Sequence, residues 1–132
     1  MAGAARAGAL IYVSDLARQI RFYQTLVGMQ VLHHADDYAV LENADAQLVL
    51  HSIPAPYADK VVAHNPPQIR ETSAIKLFFS VSSLAQAEVK AADLGGGLLP
   101  AQWSGPGFVM RNGFDPEGNV LQLREWLAES TE

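Results

Sequence analysis

Apolar and polar residues alternate along several short stretches of the chain, as they do in strands that bury one face. In one such stretch Leu48 and Leu50 fall on one side, and the residues beside them fall on the other side: Gln47, Val49 and His51. Comparable patterns predict strands at residues 9–13, 29–33, 38–42, 47–52, 75–81, 98–101, 108–111 and 120–126.

Helical spacing of apolar residues interrupts the strand pattern twice. The Ser-Asp pair before Leu16 can cap a helix, and apolar residues then recur every three or four positions until Gly28, a residue type that commonly ends helices. Ser83 can cap a second helix over residues 84–94, which three glycines follow. The sequence therefore predicts two amphipathic helices.

The order of the predicted elements repeats. The series β-α-β-β-β runs from about residue 8 to residue 53 and again from about 74 to 127, and such repetition outranks any single motif. Residues 54–73 hold four prolines, which cannot donate hydrogen bonds to a sheet. We expect a connecting arm there that crosses between the halves, covers a site or reaches a second subunit. We predict an α+β fold of two tandem βαβββ modules in a single domain of residues 1–132.

A tight turn is predicted immediately before the last strand, at residues 115–119. Pro116 presets φ for the first central position of a turn, and Gly118 and Asn119 tolerate positive φ. The strand that follows then starts at a defined point, with leucines on one of its faces.

Composition excludes several classes of function. The net charge of −5 argues against a nucleic-acid partner, and the absence of cysteine excludes disulfides, thiolate metal sites and a thiol nucleophile. No apolar run approaches the ~20 residues that cross a bilayer, and the first residues lack the apolar core of a signal peptide. We therefore expect a cytoplasmic protein without a membrane partner. Phosphate-binding glycine loops and Gly-x-Ser-x-Gly elbows are also absent.

The chain resembles the vicinal oxygen chelate superfamily, which includes glyoxalase I, extradiol dioxygenases, fosfomycin-resistance enzymes and bleomycin-resistance proteins. The resemblance rests on the half-length repeat and on three motifs: Leu10-Ile-Tyr-Val-Ser-Asp-Leu16 with Phe22-Tyr23, Leu26-Val-Gly28, and Asp115-Pro-Glu-Gly-Asn119. It implies that the two modules form curved mixed sheets around a cleft and that the protein is a homodimer. It implies little about the chemistry, because this scaffold carries several reactions.

Enzymes of this superfamily hold a divalent metal with side chains at four strand positions, usually His and Glu. The resemblance places these positions at Gly8, Val49, Lys76 and Gln122. Gly8 and Val49 offer no donor atom, Lys76 is normally protonated, and the Gln122 amide is a poorer ligand than a carboxylate. We therefore expect no metal or other cofactor, and a divalent metal that uses His51 is the alternative.

The residues predicted to face inward are typical of a small-molecule pocket, with apolar and aromatic walls and a few polar groups. Trp103, in a predicted loop rich in glycine and proline, can stack on a planar ligand, as an aromatic residue does in the bleomycin-resistance proteins that the chain resembles. Filling of the space between two sheets is the competing interpretation of the same side chains. The predicted ligand-binding residues are Tyr12, Val49, His51, Lys76, Phe78, Trp103, Gln122 and Arg124.

Three functions remain open at this level. The first is a metal-independent protein, with no catalytic residue, that sequesters a planar or amphipathic molecule such as an antibiotic or secondary metabolite. The second is a metal-dependent lyase or dioxygenase. The third is a dimeric module that binds another protein, since the proline-rich arm and Trp126 offer surfaces for an interface.

Overall fold

The computed structural model describes residues 7–58 and 66–128. The chain divides into two compact units, residues 1–64 and residues 65–132. Each unit has its own sheet and its own buried core, so each is described by itself.

The first unit contains a four-stranded mixed sheet with one long helix packed on it. Its elements are β1 (Gly8–Val13), α1 (Leu16–Leu26), β2 (Gln30–His34), β3 (Tyr38–Glu42), β4 (Gln47–Ser52) and the short α2 (Ala55–Ala58). The strand order is β1-β4-β3-β2, with β1 parallel to β4 and the other neighbours antiparallel. The predicted bounds of β3 and β4 are confirmed, while β1 begins slightly earlier and β2 is slightly displaced.

Helix α1 covers one face of this sheet because its apolar residues recur on one side. Asp15 caps the helix, with its Oδ1 accepting a hydrogen bond from the Arg18 backbone N–H at 3.1 Å. Gly28 follows the helix with φ of 77°, as its position in the sequence predicts. The buried apolar residues of this unit are Val13, Ile20, Phe22, Tyr23, Leu26, Met29, Ala39, Leu41, Leu48 and Leu50.

The second unit repeats the plan. Its elements are β5 (Leu77–Ser80), α3 (Leu84–Asp93), β6 (Gly97–Gly105), β7 (Phe108–Phe114) and β8 (Val120–Trp126). The strand order is β5-β8-β7-β6, with β5 parallel to β8 and the other neighbours antiparallel. Its buried apolar residues are Phe79, Leu84, Ala87, Ala91, Phe108, Val120, Leu121 and Leu123. The predicted α+β fold of two βαβββ modules with mixed sheets is confirmed.

The predicted turn before β8 is held by a buried carboxylate. Asp115 is fully buried, and its Oδ1 accepts from the backbone N–H groups of Glu117 at 2.9 Å and Asn119 at 3.0 Å. Its Oδ2 accepts from Asn119 Nδ2 at 2.9 Å. Gly118 has φ of 83°, the conformation for which the sequence requires glycine. The turn therefore fixes where β8 begins.

Three local predictions were wrong. β6 and β7 extend beyond the predicted residues 98–101 and 108–111, and Trp103 lies within β6 instead of in a loop. The strand predicted at 75–81 is shorter, because only Leu77–Ser80 pairs with β8. The predicted connecting arm at 54–73 contains α2 and an isolated bridge between Arg70 and Asn119. Residues 59–65 of this arm lie outside the described residues.

None of the helices in the described ranges has the length and apolar character that crossing a bilayer requires.

The cap of α3 provides a direct test of the second helix. Ser83 Oγ accepts a hydrogen bond from the Gln86 backbone N–H at 3.1 Å. We expect Ser83→Ala to lower the free energy of unfolding by about 1 kcal/mol, since the helix loses a partner for a terminal N–H. The neighbouring exposed Ser82 is the matched control, and Ser82→Ala should change stability by less than about 0.5 kcal/mol. Urea unfolding measures both, and equal effects would contradict the cap assignment.

Candidate functional site

The face of the second sheet opposite α3 carries most of the predicted ligand-binding residues. Residues that are paired across neighbouring strands point to the same face, and Arg124 is paired with Ser80 on β5 and with Met110 on β7. Met110 is paired in turn with Trp103 on β6. The predicted residues Phe78 and Gln122 are paired with each other and lie two positions along the same strands, hence on the same face. We call this surface the open face.

Arg124 lies at the centre of the open face between two aromatic rings. Its Cζ lies 3.7 Å from the centroid of the Phe78 ring and 4.8 Å from the centroid of the Phe108 ring. Its Nε donates a hydrogen bond to Gln122 Oε1 at 2.7 Å. The side chain is thus restrained by cation–π contacts and by a hydrogen bond within its own strand.

The aromatic residues of the open face differ in burial. Phe108 is buried, whereas 57% of Phe78, 47% of Trp103 and 56% of Trp126 are exposed. The Phe108 and Trp126 rings pack with centroids 4.8 Å apart, and Trp126 Nε1 donates to Ser80 Oγ at 3.0 Å. Soluble proteins leave few clusters of large aromatic side chains exposed on one surface, and those that exist are often binding sites.

Two further cations of the second unit have different surroundings. Lys76 Nζ donates to Asn112 Oδ1 at 3.3 Å on the open face, so its partner is a neutral amide. Arg111 belongs to the opposite, helix-covered face, where Nε donates to the Leu99 carbonyl and Nη1 pairs with Glu88 at 2.8 Å. The hydrogen bond and the charge of Arg111 lower the pKa of Glu88 below its ordinary value. Arg111 therefore joins α3 to the sheet and is not a candidate for ligand binding.

The predicted residues of the first unit form a separate aromatic row on the sheet face opposite α1. His51 is paired with Tyr12 on β1 and with Tyr38 on β3, and the ring centroids lie 5.8 Å and 6.0 Å from that of His51. His33 extends the row, with its ring centroid 5.3 Å from that of Tyr38. Val49 lies on the same face, beside Leu10 and Val40.

His51 is held in one orientation by its backbone neighbour. Nδ1 lies 2.7 Å from the Ser52 carbonyl oxygen, and because a carbonyl only accepts, Nδ1 carries the hydrogen of this bond. Nε2 faces Asp37, with 4.0 Å between Nε2 and Oδ2. This is the arrangement of a hydrogen-bonded surface histidine.

A depression of about 350 Å³ lies elsewhere in the first unit, near the turn between β3 and β4. Its lining residues are Gly28, Gln30, Glu42, Asn43 and Ala44. None of the predicted binding residues lines it, and the Asn43 side chain is used by the turn itself, where Oδ1 accepts from the backbone N–H groups of Asp45 and Ala46. We assign no ligand to this depression.

The four positions that the resemblance assigns to a metal do not fit one here. A side chain at Gly8 is excluded at its first atom, since a Cβ would lie 2.5 Å from the Gln47 carbonyl oxygen. Val49 has no donor, and Lys76 is a hydrogen-bond donor to Asn112. The Gln122 amide oxygen, which a metal would use, already accepts from Arg124. Within residues 7–58 and 66–128, no three His, Asp or Glu side chains come together as a metal site.

Comparison with known proteins identifies the family. A family described as the glyoxalase-like domain matches residues 9–124. This chain belongs to the glyoxalase-like domain family. The predicted membership of the vicinal oxygen chelate superfamily is confirmed, while no curated protein matches the chain significantly in sequence.

Solved structures share the fold of this glyoxalase-like protein at low sequence identity. A glyoxalase/bleomycin resistance protein/dioxygenase family enzyme from Burkholderia phytofirmans has a TM-score of 0.69 at 18% identity, over 94% of this chain and 100% of the other. A glyoxalase-related enzyme from Fulvimarina pelagi has a TM-score of 0.67 at 17% identity, over 92% and 88%. The fosfomycin resistance protein FosX from Mesorhizobium loti has a TM-score of 0.63 at 12% identity, over 95% and 93%. At these identities the likeness establishes the fold alone.

The structure brings the predicted residues together on two sheet faces, Trp103 among them although it was predicted in a loop, and adds neighbours that were not predicted. Lys76, Phe78, Trp103, Gln122 and Arg124 share the open face of the second unit, and Tyr12, Val49 and His51 share a face of the first. Phe108 and Asn112, which contact Arg124 and Lys76, were not among the predicted binding residues. The signal that would have identified them is the alternation along β7 once its pairing with β8 is known.

Proposed function

We propose that this glyoxalase-like protein binds a planar or amphipathic small molecule on the open face of the second sheet, without a metal. The observation that carries the proposal is Arg124, held between the Phe78 and Phe108 rings and hydrogen-bonded to Gln122. Fixing a long side chain before a ligand arrives reduces the entropy that binding must overcome.

The exposed rings beside this arginine supply the apolar part of the site. Phe78 and Trp103 are about half exposed, so a flat ligand can cover them and remove aromatic surface from water. Polar groups at a few points among aromatic walls are what small-molecule sites contain, and here Lys76, Gln122 and Arg124 provide them. All of these residues belong to the second unit.

Metal independence is supported by the donor set. The family's metal positions hold a glycine with no room for a side chain, a valine, a lysine and an amide oxygen that is already engaged. Imidazole and carboxylate are the ligands that divalent metals prefer, and none of the four positions has either.

Trp103 gives a direct test of ligand binding. A panel of planar aromatic compounds of varied charge is titrated while tryptophan fluorescence and heat of binding are followed. We expect Trp103→Ala to weaken binding of the best compound by about 2- to 12-fold, the equivalent of about 0.5–1.5 kcal/mol of aromatic contact. Tyr57→Ala is the control, since Tyr57 is also an exposed aromatic residue and lies on α2 of the other unit.

Failure of every compound to bind at millimolar concentration would refute the proposed function. Metal analysis of protein purified without chelators tests the metal-free part. Stoichiometric nickel, zinc, manganese or iron, removed by Gln122→Ala, would favour the lyase or dioxygenase alternative. The homodimer is part of the proposal, and sedimentation of the protein with and without the best compound gives its oligomeric state, while the calorimetric titration gives the number of sites per protomer.

A further inference from the structure

The geometry around Arg124 leaves one part of its guanidinium available. Its Cζ lies 3.7 Å from the Phe78 ring centroid and 4.8 Å from the Phe108 ring centroid, and Nε donates to Gln122. A guanidinium has five N–H donors in one plane, and no residue that the structure describes accepts from those of Nη1 and Nη2 at the end of the side chain. Two parallel N–H groups at this end match the two oxygens of a carboxylate.

The charges near the open face also favour an anion. Among the residues that the structure describes, no carboxylate forms an ion pair with Arg124 or Lys76. The next acidic residue along β8, Glu125, points to the helix-covered face, where its Oε1 accepts from the Leu84 backbone N–H at 2.7 Å. Glu88 is paired with Arg111 on that face as well. The protein is acidic overall, with a net charge of −5, yet its open face carries two cations with neutral partners.

We propose that the ligand is an aromatic carboxylate, whose two oxygens bind Nη1 and Nη2 of Arg124 and whose ring extends across β7 onto Trp103. This inference rests on the proposed function and adds the chemical class of the ligand. Trp103 and Arg124 are separated by the strand β7, and two strand spacings place their Cα atoms about 10 Å apart. A bicyclic aromatic acid spans that interval, with its carboxylate at one end and its ring at the other.

A matched pair of probes isolates the contribution of the charge. 2-Naphthoate and 2-naphthamide have the same ring and nearly the same shape, but the carboxylate of the first is an anion and the amide of the second is neutral. We expect calorimetric titration of the full chain to give binding of 2-naphthoate at least about tenfold tighter than 2-naphthamide, the equivalent of about 1.4 kcal/mol. The preference should weaken as salt is added, because the pair is near the surface.

Two substitutions of Arg124 test whether this residue provides the preference. Arg124→Gln should remove the preference for the acid and leave the amide affinity within about threefold, and Arg124→Lys should keep only part of it because an ammonium lacks the planar pair of donors. Arg21→Gln, at an exposed arginine of α1 in the other unit, should leave the preference unchanged. Circular dichroism confirms that each variant is folded.

The possible outcomes separate this inference from the proposed function. Equal binding of the two probes by the natural protein would overturn the charge assignment while leaving a ligand-binding face. A preference for the acid that survives Arg124→Gln would place the anion elsewhere and also overturn the inference. Binding of neither probe, together with binding of a different planar compound from the panel, would refute the aromatic carboxylate alone. No binding of any compound would refute both.

Discussion

Gly118→Ala should lower the free energy of unfolding by about 2–5 kcal/mol. Gly118 has φ of 83°, which costs a residue with a Cβ about 1–2 kcal/mol. A Cβ at this position would also overlap the carbonyl oxygen of Gln68, so the segment beside the turn must shift, at a cost typical of overpacking, about 1–3 kcal/mol. The Arg70 backbone N–H, which donates to the Gly118 carbonyl at 2.8 Å, is disturbed by the same shift.

Gly28 is a matched control for this prediction. Its φ of 77° is similar, but a Cβ there would meet no atom within 4 Å. Gly28→Ala should therefore cost only the backbone term, about 1–2 kcal/mol. Urea unfolding of both variants measures the difference, which reports the close approach of Gln68 to the turn. Equal losses would mean that this approach does not constrain the protein.

Phe108→Ala should cost about 3–5 kcal/mol of stability and also weaken ligand binding. Phe108 is 8% exposed, its ring covers Gly105 so closely that a Cβ there would overlap it, and Trp126 packs against it. Removing a buried ring leaves a cavity, and the cost of such changes falls in this range. The same ring restrains Arg124, so binding of 2-naphthoate should weaken as well.

Phe78→Ala separates the two effects. Phe78 also contacts Arg124, but it is 57% exposed, so its removal should change stability by less than about 1 kcal/mol. The affinity for 2-naphthoate should nevertheless fall, since the ring that restrains the Arg124 guanidinium is gone. Thermal unfolding and calorimetry are measured on both variants. Unchanged affinity in Phe78→Ala would argue against the open face as the site.

The local elements were predictable because their signals lie within a few residues of one another. The alternation of Leu48 and Leu50 with their neighbours identified β4, and the capping oxygens of Asp15 and Ser83 lie where the helices begin. The turn at 115–119 was also predictable, because it needs specific residue types at specific positions.

The glycines and proline after Trp103 account for the main local error. Gly105, Pro106 and Gly107 favoured a loop around Trp103, but the turn occupies only residues 106–107 and β6 runs up to it. Trp103 belongs to the strand because it pairs with Met110 on β7. Such pairing joins two separate strands, so the residue types next to Trp103 do not specify it.

The sequence by itself determined the order of the strands and of the two long helices and, for most strands, which face is buried, since a residue's own position in a strand sets its direction. The resemblance that it carries placed the four metal positions at Gly8, Val49, Lys76 and Gln122, which offer poor donors. Only the tertiary structure decided which side chains meet. The contact of Arg124 with Phe78 and Phe108 depends on the register between β8 and two strands that are distant in sequence, and that register is set by the cores and turns of the whole unit.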